Sequence, residues 1–406
     1  MSHSIGRRTF LTTAAGAAVA LSAGSYRRVL GANERIQLAL IGSGGRGRSL
    51  VKSFLKNKDV TFTGVSDVYE SNLNLGLKEA GTDAKPCADY RKLLDDKALA
   101  AVIVATPDHW HHDQLVAALK AGKDVYLEKP MSLNVAQGAD MVHAVRATNR
   151  IVQIGMQRRS APAVHQAKKL VDNGELGTVT LVRAHWYWNM PRLGKDRPLK
   201  GKLDWEGFCG PAGKHALSID GYENVAFLNW RYFWAFSGGN MTDQGTHLMD
   251  VIQWFLNDGK PPRSAVCQGQ VQRLQPSETP DVFSAVFEYP KFLATWTLAY
   301  TNSYQDGWHI VFQGDKATLE LDNNGYRVYA DPGRNKPLGP PIQEVKASLP
   351  TEPHVENFLA CLRSRKEPNA PVEVGHHAVT GPHLANFAMR HKCRAVLGAD
   401  GKVSAG

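Results

Sequence analysis

An apolar run, Ile36 to Ile41, leads directly into Gly42-Ser43-Gly44-Gly45-Arg46-Gly47, and nothing else in the chain constrains its fold as tightly. The stretch Arg48 to Lys56 has helical patterning. A second apolar run, Val60 to Val65, then leads to Asp67, twenty residues beyond Gly47. A buried strand that turns on glycines and restarts as a helix is half of a βαβ unit. Each glycine has a physical task there: Gly42 permits the tight turn, Gly44 lets backbone approach a pyrophosphate, and Gly47 lets helix pack on strand. The helix N-terminus presents its partial positive charge to the phosphates. Gly42, Gly44, Gly45, Arg46 and Gly47 are therefore expected to line a dinucleotide. Asp67 would accept hydrogen bonds from the ribose hydroxyls and repel a 2′-phosphate, which favours NAD over NADP. Arg46 is the one nearby residue that could receive such a phosphate.

The alternation continues through Ala100 to Ala105, Asp124 to Leu127 and Ile151 to Ile154, with helical stretches at Gln114 to Lys120 and Asn134 to Thr148. That pattern predicts a parallel sheet. After about residue 175 strand-like runs follow closely: Thr178 to Trp188, Ser264 to Leu274, Val282 to Tyr289, Phe292 to Tyr300, Trp308 to Gln313 and Ala317 to Leu321. One helix, Thr242 to Leu256, interrupts them. Residues 330–350 read as a Pro-rich loop, and His354 to Leu397 as helical. The expected class is α/β, with an N-terminal Rossmann parallel sheet. A C-terminal α/β domain with a large, mostly antiparallel open sheet would follow. The expected division is a signal segment over 1–32, a Rossmann NAD-binding domain over 33–156, and a substrate and oligomerisation domain over 157–406. The helical tail of the last would return toward the Rossmann domain. An uncovered sheet face favours a homodimer or homotetramer.

The formal charge of +10 would suggest nucleic acid, but Arg7, Arg8, Arg27 and Arg28 all lie in the acid-free first 32 residues, and no long Lys/Arg block follows. No nucleic-acid partner is expected. Arg7-Arg8 before the uncharged stretch Leu11 to Ala23 reads as a twin-arginine export signal. That stretch is shorter than the ~20 residues a membrane-spanning helix needs. A periplasmic protein without stable membrane insertion is the expectation. The five cysteines have no Cys-x-x-Cys spacing, which argues against a disulfide framework or a zinc site.

Two further motifs establish a resemblance. Val104-Ala105-Thr106-Pro107 with His111, followed by Glu128-Lys129-Pro130, is similar to the Gfo/Idh/MocA oxidoreductases. Gly238-Gly239-Asn240-Met241-Thr242-Asp243-Gln244-Gly245-Thr246-His247 resembles that family's Asp-x-Gly-x-His segment. The resemblance implies hydride chemistry on sugars, cyclitols or related polyols. Lys129 would lie beside nicotinamide and substrate hydroxyl, with Asp243 and His247 completing the catalytic group. Thr106, Pro107, His111 and Glu128 would join the cofactor site, and the Lys129–Pro130 bond would be cis. Elementary chemistry agrees: removing hydride from a secondary alcohol needs a proton acceptor, for which histidine is suited. A lysine can stabilise the developing oxyanion. Asp243 and His247, four apart, would share one helix face, so that Asp243 could orient the imidazole or bind a substrate hydroxyl.

Asp108-His109-Trp110-His111-His112 has metal-ligand composition, but it opens a helix, where Asp can cap and the rings splay apart. No metal is expected, and His109 and Trp110 are placed at the edge of the nicotinamide pocket. Two aromatic segments, Trp186 to Arg192 and Trp230 to Trp234, suit stacking on sugar rings. From them Trp188, Arg192, Arg231 and Tyr232 are the expected pocket wall. The leading expectation is an exported NAD-dependent oxidoreductase acting on a sugar or glycoside with tightly held cofactor. A redox-neutral alternative oxidises a sugar carbon, eliminates a glycosidic bond and returns the hydride, as in the exported N-acetylgalactosaminidase-like branch. That branch lacks the lysine and the Asp/His pair kept here. A non-catalytic dinucleotide-binding protein is the third reading.

Overall fold

The computed structural model describes residues 35–190, 193, 198–213, 223–301 and 303–406. The twin-arginine segment and Arg192 lie outside the described residues.

Six strands form the first sheet: β1 (Ile36–Ile41), β2 (Val60–Ser66), β3 (Lys85–Cys87), β4 (Ala101–Val104), β5 (Asp124–Leu127) and β6 (Val152–Ile154). All are parallel, in the order β3-β2-β1-β4-β5-β6. Side chains alternate between two cores, as a sheet covered on both faces requires. Ala39, Ile41, Val102 and Val104 enter one, and Leu38, Leu40, Ala101 and Ile103 the other. Helix Glu352–Ser364 closes the second core, packing Val355, Phe358 and Leu362 with Phe54 and Tyr126. Ile41 pairs with Ser66 and Val104, Val104 with Leu127, and Leu127 with Ile154. The carboxyl ends of five strands thus share one edge, with the order reversing between β1 and β4, where α/β sheets bind ligands.

The second sheet has ten strands among the described residues, in the order β14-β13-β12-β11-β7-β10-β9-β8-β15-β16. They are β7 (Val179–Tyr187), β8 (Ser264–Gln270), β9 (Val282–Glu288), β10 (Leu293–Ala299), β11 (Gly307–Gly314), β12 (Ala317–Asp322), β13 (Gly325–Ala330), β14 (Gln343–Lys346), β15 (Ala395–Leu397) and β16 (Val403–Ala405). All its pairings are antiparallel except β7 with β10. Period-two alternation sends Phe283, Ala285 and Phe287, and likewise Trp308, Ile310 and Phe312, to the face packed by helices Gly245–Leu256 and Val372–His391.

Three expectations change. The Pro-rich stretch contains strand β14, whose alternately exposed Gln343-Glu344-Val345-Lys346 carries no apolar run. The C-terminal tail is not helical to Leu397: β15 pairs with β8 and carries the sheet to its edge. The helix expected from Thr242 is two helices, Gly239–Asp243 and Gly245–Leu256, meeting at Gln244.

Candidate active site

The glycine loop after β1 behaves as its spacing predicts. Gly42 has φ +88°, and a Cβ there would sit 2.7 Å from the Thr106 nitrogen. A Cβ on Gly47 would strike the Gly42 carbonyl oxygen. Gly44 and Gly45, by contrast, face open space with nothing within 4 Å of an added Cβ. The first and third glycines of the motif are thus required by the protein itself, while the middle leaves the cradle a pyrophosphate would fill. Helix Gly45–Leu55 starts there with no side-chain cap, so its first N–H groups remain available.

Asp67 follows β2. Its Oδ2 accepts from the Ser43 N–H (2.7 Å) and the Ser43 hydroxyl (3.1 Å), and Oδ1 from the Tyr69 N–H (2.9 Å). Arg46 turns instead to the far side of the loop, where its Nε meets Glu128 Oε1 at 2.8 Å. Thr106 donates to Gln114 Oε1 (2.6 Å), and its carbonyl contacts His111 Nε2 at 2.9 Å. His111 Nδ1 lies 2.7 Å from the Pro130 carbonyl, so one ring ties the Thr106-Pro107 loop to the turn that carries Lys129. Burial pushes the His111 pKa down although both carbonyls favour the charged ring.

The rest of the histidine cluster diverges. His109 Nε2 and Trp110 Nε1 both reach the Phe208 carbonyl at 2.9 Å, holding that segment against the Rossmann sheet. His112 pairs with Asp113 and Asp140 near the surface. Asp108 does not cap locally: its Oδ2 accepts from the buried Ser237 hydroxyl at 2.6 Å. No group of three or more metal-ligating side chains occurs among the described residues.

Lys129 is the centre of the arrangement. The Lys129–Pro130 bond is cis. Its Nζ donates to Asp243 Oδ1 (2.6 Å) and to the Asp243 carbonyl (2.8 Å). Arg231 Nε approaches Asp243 Oδ2 at 3.1 Å as an ion pair rather than an aligned hydrogen bond. Burial alone would raise the Asp243 pKa; Arg231 and Lys129 overcome it and hold the carboxyl down at about 2. Both carboxylate oxygens are therefore committed to cations, and Asp243 does not orient His247, contrary to what a continuous helix suggests. His247 is 5% exposed, and its Nδ1 is buried without a partner. Burial, then the charges of Arg158, Lys129 and Arg46, push its pKa well below the ordinary histidine value. The ring is neutral at physiological pH.

Comparison with known proteins agrees with this geometry. Residues 36–156 match the model of the oxidoreductase family's NAD-binding Rossmann fold, and residues 168–380 that of its C-terminal alpha/beta domain. The chain belongs to the Gfo/Idh/MocA family. An inositol 2-dehydrogenase/D-chiro-inositol 3-dehydrogenase of Lactiplantibacillus plantarum is 28% identical over 153 residues, 37% of this chain and 44% of that protein. An inositol 2-dehydrogenase of Salmonella typhimurium is 33% identical over 129 residues, 32% of this chain and 38% of that one. The matches thus span less than half the length of these relatives. A levoglucosan dehydrogenase solved with NADH and levoglucosan shares the fold, at TM-score 0.70 and 14% identity, covering 89% of this chain and 99% of that one.

In this Gfo/Idh/MocA chain the aromatic segments contribute unevenly. Trp188 is 38% exposed and stacks on Tyr300, with centroids 5.8 Å apart. Tyr232 is buried, its hydroxyl 3.9 Å from Met190 Sδ, and burial pushes its pKa up to about 12. Arg231 lies over Trp230 as well as beside Asp243. Two neighbours escaped sequence reasoning. Asp108 lies within electrostatic reach of Arg231, Asp243 and Lys129, and burial lifts its pKa to about 7. Arg158, in the turn Gln157–Ser160 that follows β6, is buried against Trp308. Asp108 reads in the sequence only as a possible helix cap and Arg158 stands in no motif; only chain closure around the site reveals what they face.

Proposed function

We propose that this chain oxidises a ring hydroxyl of a sugar, glycoside or related polyol, with NAD rather than NADP as hydride acceptor. The observation that carries the reading is the Lys129–Asp243–Arg231 cluster beside an uncharged His247, adjoining the glycine cradle. Bound nicotinamide would supply the hydride-accepting carbon. Two bonds to Asp243 leave the Lys129 ammonium one N–H to donate to the substrate oxygen. His247 takes the hydroxyl proton as the C–H pair departs as hydride, leaving a ketone, and the proton then passes to solvent. Asp243, paired on both oxygens, fixes Lys129 rather than accepting a proton itself. Asp67 at the end of β2, and the commitment of Arg46 to Glu128, support NAD.

The inositol dehydrogenase and levoglucosan dehydrogenase names of relatives support a polyol or sugar substrate. The N-terminal Arg7-Arg8 segment supports export in the folded state with cofactor retained, and the exposed Leu293 and Val266 on the second sheet support self-association. The test is to add sugars, glycosides and cyclitols to NAD-loaded protein. Absorbance rising near ~340 nm with a ring ketone formed supports oxidation. Aglycone release without net reduction would replace it by the redox-neutral reaction.

A further inference from the structure

Arg158 stands in the turn Gln157–Ser160 after β6 and is 7% exposed. Its side chain makes no hydrogen bond or ion pair to any described residue, and its Nε and Nη1 are both buried without a partner. Its neighbour Arg159 shows the usual compensation, with Nε donating to Asp250 Oδ1 at 2.7 Å. Asp250 attracts Arg158 as well, but its hydrogen bond goes to Arg159 and none reaches Arg158. The Arg158 guanidinium lies 4.1 Å from the Trp308 ring centroid and 5.9 Å from that of Trp186. Stacking on an indole returns only part of what desolvating a guanidinium costs. Arginine also remains charged where other groups would neutralise. A buried guanidinium whose N–H groups are unpaired, with a single shared carboxylate at a distance, is therefore a site that can receive an anion.

Two facts place that site at the reaction centre. The turn Gln157–Ser160 packs against the helix Gly245–Leu256 that carries His247, and the Arg158 charge acts on that imidazole. Trp186, which the guanidinium approaches, meets Trp188 and through it Tyr300, whose hydroxyl bonds Gln244 beside Asp243, and Trp186 Nε1 and His247 Nδ1 are likewise buried without partners. We propose that Arg158 receives a carboxylate of the substrate, so that the compound oxidised is a sugar acid, such as a uronate, rather than a neutral sugar. A hydroxyl would satisfy one N–H and leave the charge; a carboxylate satisfies two and neutralises it. The proposal rests on the Lys129–Asp243–His247 site being where a ring hydroxyl is oxidised.

The test titrates NAD-loaded protein calorimetrically with D-glucuronate, D-galacturonate, D-glucose, D-galactose and D-glucose 6-phosphate, while absorbance near ~340 nm is followed. The acids should bind about tenfold or more tightly than their neutral counterparts. Arg158→Gln should abolish that preference and Arg158→Lys retain part of it. Ligand-free Arg158→Gln should melt at or above the wild-type temperature, because it removes a buried charge that has no hydrogen-bond partner; a purely structural arginine would give the opposite. The proposal is overturned if neither acid outbinds its neutral counterpart, if the preference survives Arg158→Gln, or if the phosphate binds best. Arg158-dependent binding of acids without reduction would keep this assignment and sink the oxidation reading. Oxidation of neutral sugars with no acid preference would do the reverse.

Discussion

Replacing Asp108 by Asn should change how stability depends on pH. Asp108 is 2% exposed, and burial raises its pKa from 3.8 to about 7 against the opposing pull of Ser237, Arg231 and Lys129. The unfolded chain is ionised here above about pH 5, while the folded chain stays protonated until about pH 7, so the folded state binds the extra proton. Stability from this group is complete below the unfolded value and is lost as pH rises through the folded one. At about 1.4 kcal/mol per pH unit, wild-type protein should lose about 3 kcal/mol between pH 5 and 8 that Asp108→Asn does not. An asparagine carbonyl still accepts from the Ser237 hydroxyl, so the hydrogen bond at 2.6 Å survives the change. The assay is urea unfolding of both proteins at the two pH values. Parallel pH dependence in the two proteins would refute the claim that this carboxyl is held protonated by burial.

Gly44→Ala should fold normally, since Gly44 has φ −60° and its Cβ would meet nothing, yet weaken NAD binding measured by fluorescence; Gly47→Ala should lower thermal stability as well. Asp67→Ala should shift the ratio of kcat/KM for NADP over NAD upward by about tenfold or more, because it removes ribose acceptors and a charge that repels the 2′-phosphate. The depressed pKa of His247 keeps the ring a competent base in mild acid, so the acid limb of the pH–rate profile should fall below the ordinary histidine range. A limb at about pH 6.5 would show a solvated imidazole instead.

The Rossmann half was legible because its strands are continuous apolar runs and its loop chemistry is local: Gly42, Gly47 and Asp67 can be read from spacing alone. The edge strand Lys85-Pro86-Cys87 was not, since two exposed residues and a half-buried cysteine make no apolar pattern. β14 was hidden for the same reason, and the β15–β16 pair because three-residue strands are too short to show a period. At the site, Lys129, Asp243 and His247 were legible through motif order, but their pairing was not. Helical spacing pointed Asp243 at His247, whereas the break at Gln244 and the cations Lys129 and Arg231 draw the carboxylate away. Asp108 and Arg158 gain their character from burial beside residues more than eighty positions away, which periodicity does not encode.

The most direct test of the account compares wild type with Lys129→Met and His247→Gln on a substrate found active, measuring kcat and, separately, the dissociation constant for NAD. The account predicts that each variant loses about 100- to 10,000-fold in kcat while binding NAD as wild type does. Unchanged kcat in either variant, or a loss matched by lost NAD affinity, would contradict it.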